Sequence, residues 1–427
     1  MHLAFFNRSF YPDNTATGQL LTDLCEDLVR DHGCRVSVVT GPPLLPTAET
    51  ARPGFGLVAR EVYRGVEIHR VRGTRFDKKR FAGRAANYMS YFASACWAGQ
   101  RLDRPDVVIA LTDPPIVGLA AWLAGKRFGA PLVMSYRDLF PEVTVLLKDF
   151  HSDSINNALQ RVNKFLCRKS ARVVALGETM KKRLIDDKGA PPERTVIIPD
   201  WADTTAIAPR PKNNPFAVEH GLASKFVVMH SGNIGLSQQL ESLVDAAALL
   251  RDVLDLQVVF VGEGVNKTAL QARAAAAGLA NVTFLPFTPK ERLGESFATA
   301  DVFVVSLQRG LAGYIVPSKL YGILAAGRPY VAAVEEDCEV ASITRRHDCG
   351  RITEPGNARG LADRILELYR DRDTARACGA RAREAGLSFD RRAQVAKYRA
   401  LFDAVRRDAR ASRSVASTRG EAHVGNQ

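Results

Sequence analysis

Val316-Pro317-Ser318-Lys319-Leu320-Tyr321-Gly322-Ile323-Leu324-Ala325-Ala326-Gly327-Arg328-Pro329 is a helix-to-strand step written out in full. Pro317 opens the helix, since proline suits a first turn where its missing amide hydrogen costs nothing. Ser318 and Lys319 fall in that turn, Gly327 ends the helix, and Arg328-Pro329 leads into an apolar strand over 330–334. Backbone amides at a helix start attract anions, and Lys319 adds a full positive charge there. The segment reads as a seat for a diphosphate. The plainer alternative is a helix with a solvated lysine.

The same step recurs on both sides of this segment. Upstream, Leu3-Ala4-Phe5-Phe6 reads as a strand, and 17–31 as a helix with Leu20, Leu21, Leu24, Leu28 and Val29 on one face. Short branched apolar runs follow at 36–39, 107–111, 132–134, 172–175 and 196–198, as parallel strands covered on both faces should be. The polar, proline-rich run Ala208-Pro209-Arg210-Pro211-Lys212-Asn213-Asn214-Pro215 interrupts the pattern. It restarts with strands at 226–229, 257–261, 282–285, 302–305 and 331–333. The alternation implies an α/β chain of two Rossmann-like, doubly wound domains, expected over 1–207 and 208–387. A long helix is expected at the end (389–407). The polar remainder, 409–427, is expected to be disordered.

Composition narrows the function classes. The chain has 427 residues, 46% hydrophobic and 25% charged, which suits a soluble protein of two or three domains. Its seven cysteines are scattered, with no C-x-x-C, which argues against a disulfide framework or a zinc site. No signal peptide is visible, and the apolar runs at 88–99 and 114–125 fall short of the ~20 residues that span a bilayer. A cytoplasmic protein is expected, with a peripheral place on the inner face of the membrane as an extension. The net charge of +13 suits an anionic partner. Arg72, Arg75, Lys78, Lys79, Arg80 and Arg84 are opposed only by Asp77, and the aromatic and apolar run 88–97 follows. Segment 72–97 therefore suits contact with an anionic membrane surface, against the alternative of a solvated loop and a core helix. No nucleic-acid-binding motif appears. No clear G-x-G-x-x-G follows either first strand, which weakens a dinucleotide-dependent dehydrogenase.

Several segments, in order and covering most of the chain, resemble retaining glycosyltransferases of family 4. They are Glu178-Thr179-Met180-Lys181-Lys182-Arg183-Leu184, Val196-Ile197-Ile198-Pro199-Asp200-Trp201-Ala202-Asp203, His230-Ser231-Gly232-Asn233-Ile234-Gly235, Val261-Gly262-Glu263-Gly264 and Asp301-Val302-Phe303-Val304. Arg137-Asp138-Leu139-Phe140-Pro141-Glu142 is similar to a subgroup making bacterial surface polysaccharides, the WbuB-like and colanic-acid-type transferases. The resemblance implies the GT-B fold, two Rossmann-like domains facing a cleft with a C-terminal crossover helix, 388–408, that packs back on the first domain. It also implies sugar transfer with retention of anomeric configuration and no metal or other cofactor. The partners would be a UDP- or GDP-sugar and a glycan or polyprenyl-diphosphate-linked acceptor. Two departures stand out. The family's paired glutamates fall at Tyr314 and Gly322, and its basic residue after the glycine turn falls at Gln238 or Gln239.

The candidate residues follow from position and chemistry together. Gly18, where the first helix begins, lets a ligand approach the backbone closely; an ordinary turn capped by Thr17 is the alternative. Gly232, Asn233 and Gly235 offer turn amides to a phosphate. Glu263 suits a ribose or sugar contact, and Arg309, Gly313 and Tyr314 form the loop before the helix of Ser318 and Lys319. Asp138 and Glu142, four apart beyond a strand, share one face if helical, and a carboxylate there could take the acceptor hydroxyl's proton. Rival functions are a nucleotide-sugar epimerase on the same fold and a non-catalytic partner subunit, the latter suggested by the missing glutamates.

Overall fold

The computed structural model describes residues 1–13, 15–43, 56–76, 81–147 and 152–424. Asn14 and residues 77–80 of the basic segment, with Lys78, Lys79 and Arg80, lie outside this set, as do 425–427 of the tail.

The chain divides into two compact units, Met1–Ile198 with Val395–Gln427, and Pro199–Gln394. The first holds eight strands: β1 (His2–Phe6), β2 (Arg35–Thr40), β3 (Val58–Tyr63), β4 (Val66–Val71), β5 (Val107–Ala110), β6 (Leu132–Ser135), β7 (Arg172–Ala175) and β8 (Thr195–Ile197). Their order is β3-β4-β2-β1-β5-β6-β7-β8, parallel except for the β3–β4 hairpin at one edge. Phe5, Phe6, Val36, Val38, Val108, Val133 and Val173 are buried, as strands covered on both faces require. The strand order reverses between β1 and β5, and open α/β sheets bind ligands outside the strand ends at such a point.

The second unit holds β9 (Phe226–Ser231), β10 (Leu256–Val261), β11 (Val282–Leu285), β12 (Val302–Ser306), β13 (Tyr330–Ala333) and β14 (Gly350–Thr353). All pairings are parallel, in the order β11-β10-β9-β12-β13-β14, which is the dinucleotide-fold order 3-2-1-4-5-6. Its switch point lies between β9 and β12. The core cluster gathers Phe226, Val228, Val258, Phe260, Val302, Val304 and Val331 with helix residues such as Leu243, Leu270 and Leu361.

Two expectations change. The units part at Ile198/Pro199 rather than at 207/208. The turn after β8 joins the second unit because Ala202 pairs with the Phe389–Arg391 backbone and Arg383 donates to the carbonyls of Thr204 and Ile207. The proline-rich run therefore lies inside that unit: Asn214 caps the helix Pro215–Glu219, and Lys212 pairs with Asp301. The last helix is Arg391–Val424, longer than expected, so 409–424 are helical where disorder is expected. From Val395 it belongs to the first unit, where Tyr398, Phe402 and Val405 are buried. Among the described residues no helix is long and apolar enough to cross a membrane.

Candidate active site

In the second unit the exits of β9, β10 and β11 are laced together. Gly232 N donates to the Val261 carbonyl at 2.9 Å, Ile234 N to Glu263 at 2.9 Å, and Gly262 N to Leu285 at 3.0 Å. The contact is so close that a Cβ on Gly262 would stand 2.0 Å from the Gly232 carbonyl, and Gly262 has φ +146°. Gly235 N donates to Gln238 Oε1 at 3.0 Å. The sequence predicts a turn offering the amides of Gly232, Asn233 and Gly235. Two of the three are engaged within the protein, while Asn233 N carries no such bond to any described residue.

Lys319 starts the helix Lys319–Ala325, with Ser318 as N-cap residue, on the β12 side of the switch point. Gly327, at φ +64°, ends that helix. The Lys319 side chain lies over the glycine turn, 3.6–3.7 Å from where a Gly232 Cβ would be. Its Nζ is 3.1 Å from Nε2 of the fully buried His230, which also lies 3.3 Å from the Asn233 carbonyl. Burial first, and then the charge of Lys319, drives the His230 pKa well below 6.5. The neutral imidazole therefore accepts from the ammonium. Part of the Lys319 residue is accessible, yet its ammonium is crowded by protein atoms, and loss of hydration lowers its pKa to about 7. Among the described residues no carboxylate pairs with Lys319. An anion is the partner that its surroundings lack.

The neighbouring candidates are differently placed. Glu263 is half-exposed and pairs with Lys267 at 2.6 Å. Arg309 points to Glu354 at 2.7 Å on the surface, in an exposed ion pair. Gly313, at φ +77°, turns the loop after β12, and Tyr314 N closes it onto the Leu311 carbonyl at 3.0 Å.

In the first unit the helix Ala16–Arg30 is capped by Thr15, not Thr17, and the Gly18 amide donates to Thr15 Oγ1 at 3.2 Å. Asp138 lies at the exit of β6, half-buried, with its amide 3.5 Å from Thr112 Oγ1. The expected Asp138–Glu142 pair does not form one helical face, because the helix begins only at Glu142 (Glu142–Leu146). Both Glu142 oxygens instead receive bonds from the buried ammonium of Lys188, at 2.6 and 2.7 Å. A carboxylate bound in that way is a structural counter-ion and not a proton acceptor for a substrate. Lys188 also donates to the Phe140 carbonyl at 2.8 Å, so the pair anchors the segment that carries Asp138.

A second polar group in this unit, Arg8 with Asp113, carries no signal in the sequence. Arg8 Nε donates to Asp113 Oδ1 at 3.2 Å, and Ser9 Oγ to Oδ2 at 2.7 Å. The residues stand far apart in sequence and match no motif, so only their placement at the exits of β1 and β5 marks them.

Residues 16–201 match the glycosyl transferase 4-like domain family, and residues 216–385 match the glycosyl transferases group 1 family. The chain is a family 4 glycosyltransferase. Among its relatives is WbjE of Pseudomonas aeruginosa, named as a glycosyltransferase, 28% identical over 300 residues, 69% of this chain and 74% of WbjE. WcaI of Escherichia coli K12, named for colanic acid biosynthesis, is 25% identical over 365 residues, 80% of this chain and 86% of WcaI. The crystal structure of Anabaena HepE with UDP-glucose superposes with a TM-score of 0.71 at 18% identity, covering 95% of this chain and all of that one. The fold is GT-B. For this glycosyltransferase the departure at Gly322 has a visible cause: a Cβ there would stand 2.6 Å from the Phe297 ring, so the space where a glutamate would extend is filled. The departure after the glycine turn is likewise structural, since the Gln238 side chain closes onto Gly235.

Proposed function

We propose that this glycosyltransferase moves a sugar from a UDP- or GDP-sugar to a hydroxyl of a lipid-linked glycan during surface polysaccharide synthesis, with retention and without a metal. The observation that carries the reading is Lys319, a cation lacking a carboxylate partner, set over the glycine turn at the switch point of the second sheet. As the glycosidic bond breaks, negative charge grows on the leaving diphosphate. A partly dehydrated ammonium stabilises that charge more than water does, and the Asn233 amide can add a hydrogen bond. Diphosphate binding would also hold Lys319 protonated. Asp138, half-buried at the exit of β6, is the carboxylate assigned to orienting the acceptor hydroxyl. The name of WcaI supports the polysaccharide setting, and the HepE complex supports a uridine nucleotide as donor. Peripheral membrane contact has support in the helix Phe81–Gly99, where Met89 and Trp97 are exposed and Arg101 lies 3.8 Å from the centre of the Trp97 ring.

The test is release of nucleoside diphosphate from a panel of UDP- and GDP-sugars, with membrane lipid extract as acceptor and EDTA present. Acceptor-dependent release from one donor is expected, falling at least about 10–100-fold in Lys319→Ala, the worth of a charged hydrogen bond. No release from any donor, with no thermal shift by UDP or GDP, would overturn the reading.

A further inference from the structure

The exits of β1, β2 and β5 form one rigid piece around Arg8. Its amide donates to the Asp113 carbonyl at 2.7 Å, and its own carbonyl accepts from Gly41 N at 3.0 Å and Thr40 Oγ1 at 2.8 Å. Asn7 ties the same piece, accepting from Asp113 N at 3.3 Å and donating to the Ser9 carbonyl at 2.7 Å. Gly41 is bare where Arg8 passes: a Cβ there would stand 2.9 Å from Arg8 Cγ. The guanidinium is held at Nε by Asp113 and lies 5.5 Å from the centre of the Tyr88 ring. Among the described residues its Nη1 and Nη2 make no hydrogen bond. The Arg8 and Asp113 side chains are 13% and 25% exposed, enough for a ligand to reach them.

We infer that Arg8 and Asp113 form an acceptor-side subsite gripping two neighbouring hydroxyls of a sugar ring. One hydroxyl accepts from an Arg8 Nη–H. The other donates to Asp113, whose oxygens are fixed by Arg8 Nε and Ser9 Oγ. Backbone bonds pre-set this pair, so little is lost in ordering it when a ligand arrives. The charge count favours a neutral polyol over a phosphate. Arg8 and Asp113 cancel, as do Arg70 at the Gly41 carbonyl and its partner Glu61, and Asp13 also acts on Arg8, so a dianion would meet more carboxylates than cations. Tyr88, whose ring lies beneath the guanidinium, adds aromatic surface suited to the apolar face of a pyranose. The inference rests on the transferase reading for the word acceptor, while the binding itself does not.

The probes are methyl glycosides of glucose, galactose, mannose and a 6-deoxyhexose, observed by saturation-transfer NMR on the full chain. Wild type should show ring-proton signals from at least one glycoside. Arg8→Lys keeps the charge but loses the planar fork, and Asp113→Asn loses the anionic acceptor. Each should weaken the signal about 10-fold or more, while the UDP- or GDP-induced thermal shift stays as in wild type. Should either variant fail to fold, Tyr88→Leu removes the aromatic ring beside the guanidinium and should weaken the same signal. Glycoside signals equal in wild type and variants, or absent from wild type, would overturn the subsite. So would Arg8-dependent binding of inorganic phosphate in place of the glycosides. Glycosides that bind through Arg8 to a protein indifferent to UDP and GDP would uphold the subsite and sink the transferase donor reading alone.

Discussion

At the scale of single residues, Lys319 couples ligand binding to protonation. Its pKa is about 7 in the folded chain against an ordinary 10.5. The unfolded chain therefore binds more protons at this group between pH 7 and 10.5, and folding is favoured as pH rises through that window. Below pH 7 the lysine is charged in both states and the penalty of burying it is fully present. Unliganded Lys319→Met should thus melt higher than wild type near pH 6, and the gap should close toward pH 10. Thermal melts of both proteins across that range would measure it; a gap that widens with pH would contradict the assignment. The family's missing glutamate was legible in the sequence at Gly322. That Phe297 fills the space was not, because a contact between two helices leaves no mark in either segment.

At the scale of elements, two devices hold the strand exits in place. The first is the close approach of Gly262 to Gly232. Gly262→Ala must move one exit or the other and adopt a φ that side chains rarely take, a strain of about 1–3 kcal/mol. The expected result is a lower melting temperature together with loss of the UDP- or GDP-induced shift, both read by thermal denaturation. The second is the Lys188–Glu142 pair beneath the Asp138 segment. Burial lowers the Lys188 pKa while Glu142 opposes that shift, so the pair survives only as a unit. Lys188→Met alone strands Glu142 and should cost about 3–5 kcal/mol in denaturant unfolding, whereas Lys188→Met with Glu142→Leu should recover most of it. A double variant no more stable than the single one would contradict this account. The sequence showed Glu142 as a carboxylate four residues from Asp138. It could not show a lysine 46 residues away as its partner.

At the scale of the whole molecule, the last helix makes the first unit discontinuous in sequence. Phe402 is fully buried, 6.0 Å from the Phe5 ring of the central strand, and Tyr398 OH lies 3.2 Å from Ser135 Oγ. Phe402→Ala should cost about 3–5 kcal/mol, the usual price of emptying an aromatic core position. Denaturant unfolding would read it, and a loss below 1 kcal/mol would mean that this helix does not complete the core.

The amino-acid order by itself determined the class and the count: short apolar strands alternating with amphipathic helices leave few options but two parallel α/β units, and ordered motifs name the family. It also singled out Lys319, because Pro317 marks the start of a short helix with Lys319 in its first turn, and Gly327 marks its end. Only the tertiary structure decided what each polar group does. It took Glu142 away as a counter-ion for Lys188, occupied the amides of Gly232 and Gly235, and joined Arg8 to Asp113 across two strand exits. Local signals fix elements because a residue's neighbours in sequence set its backbone. A polar side chain's role depends on which charge or carbonyl it meets, and those partners come from strands made neighbours only by the fold.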